Sequence, residues 1–126
     1  MTMERRIAGK ARALVSKRKD TDAEHKKETA YRALCESFPM LLRSAGLAQA
    51  VAFLKAKKQP EYVALYDDVQ QQFEGLQVAG SGNLAEAVTG PQLSLADYRL
   101  YSEIAMQIAL WHKRLAQATL RQKEKR

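Results

Sequence analysis

The feature that most constrains this chain is its poverty of helix breakers. Only three prolines and six glycines interrupt 126 residues, and Gly80, Gly82, Gly90 and Pro91 crowd into one late segment. Between the breakers, apolar residues recur at helical spacing, and no stretch alternates with the two-residue period of a sheet for long. At this length a chain makes one domain rather than two. The expectation is an all-α fold, a compact single-domain bundle of five or six helices over residues 1–126. It divides into a basic N-terminal helix (1–20), central helices (21–79), a Gly-rich connection (80–94) and a long C-terminal helix (95–121).

The first helix is expected over residues 3–18, where Ile7, Ala11, Leu14 and Val15 form one stripe. Thr21 and Glu24 then make a capping-box pattern for a second helix running to about Ser37, with Ala23, Ala30, Leu34 and Phe38 on its apolar side and Tyr31 and Cys35 flanking. Pro39 suits the first turn of a helix, so a third helix is expected from Phe38–Met40 to about Lys57. Its middle, MLLRSAGLAQAVAFL, is apolar almost all round, which makes it the candidate centre of the bundle. Gly46 within it weakens a helix by about 1 kcal/mol relative to Ala, so packing or a local bend should compensate. Gln59 and Pro60 open a fourth helix, whose stripe is Tyr62, Leu65, Tyr66, Val69, Phe73 and Leu76, with Asp67 and Glu74 facing outward. The Gly-rich connection has room for a helical turn at Leu84–Val88. Ser94 and Asp97 cap the last helix, which buries Tyr98, Tyr101, Ile104, Ala105, Ile108, Trp111 and Leu115, and the terminal QKEKR should fray.

Charge separates along the chain. Residues 1–58 hold 14 Lys/Arg and 6 Asp/Glu, residues 59–97 hold 6 Asp/Glu and no Lys or Arg, and residues 98–126 hold 7 Lys/Arg and 2 Asp/Glu. The formal net charge of +7 is thus the remainder of two basic blocks and an acidic one. A basic surface attracts polyanions, and a basic face can dock on an acidic face of a partner or of another copy. One cysteine, Cys35, excludes an intramolecular disulfide framework and fits a reducing compartment. No apolar run nears the roughly 18 residues that span a bilayer, and the basic N-terminus lacks the apolar region of a secretory signal.

Catalytic and metal-binding patterns are lacking. His25, Cys35 and His112 have no zinc-ligand spacing. Asp20, Asp22 and Glu24 begin like a calcium loop, but His25 stands where its glycine is required. Cys35 on an apolar stripe reads as a core residue. Asp67 and Asp68 are adjacent, hence about 100° apart on a helix, and read as a solvated acidic face rather than an acid–base pair. No metal, cofactor or catalytic residue is expected, and the chain reads as a non-enzyme.

Two stretches carry a family resemblance. FPMLLRSAGLAQAVAFLKAKK combines a Pro-opened apolar helix, Gly46-Leu47-x-Gln49, Ala52-Phe53-Leu54 and a lysine cluster. Tyr31-Arg32 precedes it; Leu65-Tyr66, Tyr98-Arg99 and KRLAQATL follow. Over roughly Tyr31–Leu120 the chain resembles the small helical subunit of the Cmr-type (type III-B) CRISPR effector complex. The basic first helix and the Gly-rich connection depart from that pattern. The resemblance implies a non-catalytic, cytoplasmic subunit of an antiviral ribonucleoprotein with no membrane partner. Copies would stack into a filament beside the backbone subunits that carry guide RNA, the large polymerase-like subunit would continue it, and basic residues would line the groove where target RNA pairs with the guide. Lys and Arg would neutralise phosphates while guide–target pairing supplies specificity. The candidates for backbone contact are Arg43, Lys55, Lys57, Lys58, Arg99, Arg114 and Arg121, followed by Lys10, Lys17 and Arg18. Gly46, Leu47, Gln49 and Phe53 belong to the motif, with Gln49 read as a packing residue before a subunit contact. The alternative is a stand-alone helical nucleic-acid-binding or adaptor protein. A duplex-DNA regulator would need polar base-reading residues at a helix start, whereas the junctions at Pro39 and Pro60 lead into apolar helices. A helical enzyme would need an acid pair converging in a cleft.

Overall fold

A computed structural model describes residues 2–19, 26–77 and 83–122. Six helices follow in order: α1 (Met3–Ser16), α2 (Lys26–Ala45), α3 (Leu47–Ala56), α4 (Pro60–Leu76), α5 (Leu84–Thr89) and α6 (Leu95–Thr119). The described residues contain no strand. The all-α expectation therefore holds, at six helices. The Thr21–Glu24 capping box, residues 80–82 of the Gly-rich connection and the last four residues lie outside the described residues.

Local chemistry accounts for most boundaries. The Thr2 side chain accepts from the Arg5 amide and opens α1. Asn83 accepts from the Glu86 amide at 2.8 Å and Ser94 from the Asp97 amide at 3.1 Å, capping α5 and α6. Pro60 takes the first turn of α4, where its missing N–H is no loss.

The middle of the chain departs from the expected division. Pro39 does not start a helix; it lies inside α2, which continues unbroken to Ala45. Its fixed φ is compatible with a helix, but the bond to the Cys35 carbonyl is forfeited and the ring crowds that carbonyl. Buried Phe38 and Leu42 on either side anchor the helix through that defect. The break falls instead at Gly46, with φ +84° and ψ 166°, a region open essentially to glycine alone. The expected third helix is thus split, and Arg43 and Lys55 stand on different helices. Nor is that segment the centre. α3 buries Leu47, Ala50, Val51 and Leu54, while Phe53 is 39% exposed, as is 61% of Met40 on α2. Gln49 is exposed, so the packing reading of it fails.

The centre is the pair α2 and α6. They run antiparallel, as three cross-links show: the Arg121 amide donates to Glu28 Oε2 at 2.6 Å, Arg32 Nη1 donates to the Leu120 carbonyl at 2.9 Å, and Gln117 Nε2 donates to Glu36 Oε2 at 3.3 Å. α1 and α4 pack beside this pair, and α3 and α5 close one end. The Ala48 amide donates to Tyr98 Oη at 3.0 Å, and the Ala85 amide to Tyr66 Oη at 3.1 Å. Buried apolar side chains from all six helices join one core, including Ile7, Phe38, Val51, Phe73, Leu84 and Ile108. Trp111 and Leu115, expected inside, are half-buried at its edge.

Candidate nucleic-acid interface

The candidate interface lies beside an ion pair between Arg18 and Asp68. The sequence reading puts Asp68 on a solvated face beside Asp67. Asp67 is exposed, but Asp68 is fully buried. The helical spacing held the signal: Asp68 is three residues after Leu65 and four before Gln72, all on the inner face of α4. Its carboxylate takes both arms of Arg18, from Nη2 at 2.5 Å and Nε at 3.1 Å. Arg18 Nη2 also donates to the Ala64 carbonyl at 3.2 Å. The hydrogen bond to Asp68 is the main reason the Arg18 pKa rises above its ordinary value, against the opposing effect of burial.

From Asp68 a polar chain crosses the core. Tyr31 Oη lies 2.6 Å from Asp68 Oδ2 and 3.2 Å from His112 Nδ1. Gln72 Nε2 lies 3.2 Å from His112 Nε2 and 3.0 Å from the Ile7 carbonyl. One proton arrangement satisfies every contact. Gln72 donates to Ile7 O and to His112 Nε2, His112 Nδ1–H donates to Tyr31 Oη, and Tyr31 donates to the carboxylate. That arrangement needs a neutral imidazole, and burial lowers the His112 pKa to about 4. Burial likewise raises the Tyr31 pKa and pushes the Cys35 thiol up to about 12. Cys35 and His112, the thiol and the imidazole among the described residues, are thus both locked inside. The described residues hold no cluster of three or more His, Cys, Asp or Glu side chains placed to share a metal ion.

The ion pair fixes the wall of a basic cavity. Lys17, Arg18, Lys19 and Lys27 line a concavity of about 300 Å³, with Tyr31, Pro60, Glu61 and Ala64 completing it. Of the sequence candidates this brings together Lys17 and Arg18. Lys19 and Lys27 are not among those candidates, although the K17-R18-K19 run facing K26-K27 across one connection is visible in the sequence. Arg18 has its Nε and Nη2 committed to Asp68 and Ala64, so the outward cations of the cavity are the three lysines. Asp20, Asp22 and Glu24 in the same connection lie outside the described residues.

The other candidates disperse. Lys10 is exposed on α1 and shares a second cavity, of about 340 Å³, with Arg6, Gln72, Gly75 and Leu76. Lys55 and Lys57 stand near the C-terminal end of α3 over aromatic rings, with Nζ 4.7 Å from the Tyr66 centroid and 4.9 Å from the Phe53 centroid. Lys58 is exposed just beyond. Arg43 is exposed in the last turn of α2, and Arg99 near the start of α6. Arg114 is exposed and stacks over Trp111 at 5.7 Å. Arg121 is exposed while its amide ties α6 to Glu28. Of the motif residues, Gly46 makes the break, Leu47 enters the core, and Phe53 meets Tyr62 edge-on at 5.7 Å.

Fold and surface together define a small all-helical protein that offers charged concavities and, among the described residues, keeps its cysteine and histidine internal. Residues 3–119 match the family model described as CRISPR-associated protein (Cas_Cmr5). The CRISPR system Cmr subunit Cmr5 of Thermus thermophilus is 33% identical over 91 residues, covering 71% of this chain and 75% of that protein. The crystal structure of a Cmr5 family protein from the same organism superposes with a TM-score of 0.76 at 27% identity, covering 94% of this chain and 97% of that one. The chain belongs to the Cmr5 family, the small subunits of Cmr-type (type III-B) CRISPR systems. No helix of the described residues is long and apolar enough to cross a membrane.

Proposed function

We propose that this chain is a non-catalytic structural subunit of a Cmr ribonucleoprotein, acting in the cytoplasm, that holds guide and target RNA through phosphate contacts and stacks on further copies of itself. The observation that carries the reading is the cavity of Lys17, Lys19 and Lys27 around an arginine held rigid by Asp68. An array of lysine ammonium groups on a fixed wall neutralises phosphates and releases their counterions without reading bases. The exposed Arg43, Lys55, Lys58, Arg99, Arg114 and Arg121, with Lys57, would extend this field over the α2, α3 and α6 surfaces, and Lys10 would extend it over α1. Asp67, Glu74, Glu86 and Asp97 are exposed on α4, α5 and α6, so an acidic surface is available to a neighbour's basic one. Such unlike faces make head-to-tail contacts, which propagate instead of closing. A non-catalytic role accords with His112 and Cys35 being consumed by the core, leaving cleavage to other subunits.

Affinity isolation of the tagged chain from its native host tests the reading. The expected recovery is guide RNA together with the backbone and large polymerase-like Cmr subunits. Recovery of the chain free of RNA and of those subunits would overturn it, and tight sequence-specific binding of duplex DNA would favour a stand-alone regulator.

A further inference from the structure

The basic cavity has a neighbour of mixed character. Between α2 and α4 lies an open groove of about 550 Å³, where Ala30, Ala33, Leu34 and Tyr62 give an apolar surface and the charged Lys26 and Glu61 also line it. The two concavities share Glu61. They also follow one another along α2, since Lys27, Ala30, Ala33 and Ser37 succeed each other at three- and four-residue steps on one face. Lys27 and Ala33 are about 9 Å apart along the helix axis. We propose that this bipartite site seats one unpaired nucleotide of an RNA strand, with its base in the groove and its phosphate among Lys17, Lys19 and Lys27. The proposal rests on the reading that RNA is the partner.

The chemistry of each half favours that occupant. Small side chains make a shallow floor against which a planar ring can lie. Tyr62 offers an aromatic wall, and Phe53 packs edge-on against it at 5.7 Å with an interplanar angle of 70°, which fixes the ring. Stacking of this kind is sequence-tolerant because every base has a π-face. The groove also offers polar groups to a base edge. Thr29 Oγ1 donates to the Lys26 carbonyl at 3.1 Å and Ser37 Oγ to the Leu34 carbonyl at 3.0 Å. Each hydroxyl therefore spends its proton within the helix and presents lone pairs that can accept from a base amino group. A protein helix could cover the groove, but it would make no use of the lysines of the adjoining cavity. A nucleotide satisfies both halves at once.

The test compares binding of fluorescent oligo(A) RNA and of an RNA duplex to the intact chain and to three variants. Ala33→Leu narrows the groove at its apolar surface, and Ala33 is exposed on α2, so a leucine there is compatible with the helix. Ala33→Ser keeps the groove open and controls for substitution at this site. Lys27→Gln removes one phosphate contact. The proposal expects Ala33→Leu to weaken oligo(A) about tenfold or more without changing the salt slope or duplex binding. Ala33→Ser should bind as the parent does, and Lys27→Gln should reduce the single-strand salt slope by about 0.7. Equal oligo(A) affinity for Ala33→Leu and the parent overturns the base seat but leaves phosphate contact standing, whereas no binding of either RNA by the parent overturns the RNA reading itself. Binding of adenosine monophosphate as tightly as oligo(A) overturns the strand assignment. Loss of another Cmr subunit from Ala33→Leu, with RNA binding intact, overturns the proposal in favour of a protein-docking groove.

Discussion

Tyr31 and Asp68, 37 residues apart on α2 and α4, are joined inside the core by a hydroxyl-to-carboxylate hydrogen bond of 2.6 Å. Arg18 closes on the same carboxylate from the end of α1, and His112 on α6 reaches Tyr31 from the other side. One buried carboxylate thereby ties four helices together and sets the wall of the basic cavity. Buried ion pairs add little net stability when compared with apolar replacements, but removing one partner strands the other.

Asp68→Ala should therefore destabilise the fold on the order of 3 kcal/mol, leaving the Tyr31 hydroxyl without its acceptor and the half-buried Arg18 without its counter-charge. Urea unfolding followed by circular dichroism measures the loss. Asp67→Ala, on the exposed neighbour, should change stability by less than about 0.5 kcal/mol. Equal losses for the two would contradict the inward placement of Asp68.

The protonation of His112 gives a second expectation. Its folded pKa is lowered to about 4, against an ordinary value near 6.5. Between those values the unfolded chain binds the extra proton, so stability rises with pH in that window. The contribution is complete above about pH 6.5 and is lost as pH falls towards 4, amounting to about 3 kcal/mol. Asp68, Tyr31, Arg18 and the Cys35 thiol are the other ionisable groups of the same network. Urea midpoints for the parent and for His112→Gln at pH 7 and at pH 4.5 isolate the histidine, because the surface carboxylates are common to both. The parent should lose more stability than the variant on acidification.

Much of this architecture is legible from residue spacing, and the exceptions share a cause. Ile7, Ala11, Leu14 and Val15 read as a buried stripe and are one, and Ser94 caps α6 as its position before an apolar run suggests. Those features depend on neighbours within one or two turns. Pro39 is ambiguous locally, since the same proline suits a first helical turn or a tolerated defect. The packing of Phe38 and Leu42 against distant helices decides the matter. Asp68 is a mixed case: its spacing from Leu65 and Gln72 marks the inner face, but the counter-charge that compensates its burial is 50 residues away. The basic cavity is half legible, because Lys17 and Arg18 follow the charge run, but Lys27 joins them only when α1 and α2 both pack on α4.

Gly46 supplies a prediction where backbone geometry, not contact, is limiting. A Cβ built there would meet only Tyr98 Oη, at 3.9 Å, an ordinary contact. Gly46→Ala should nevertheless cost about 1–3 kcal/mol, because φ +84° with ψ 166° is strained for any side chain. The same urea assay reads this, and a neutral result would mean that α2 and α3 can join without the break.

The salt dependence of single-stranded RNA binding by the isolated chain bears on phosphate contact itself. If about four phosphates are neutralised per copy, the slope of log K against log salt should be near −3. Replacing Lys17, Lys19 and Lys27 together by Gln should make it shallower by about 2. A parent slope near zero would contradict a role in holding RNA by its backbone.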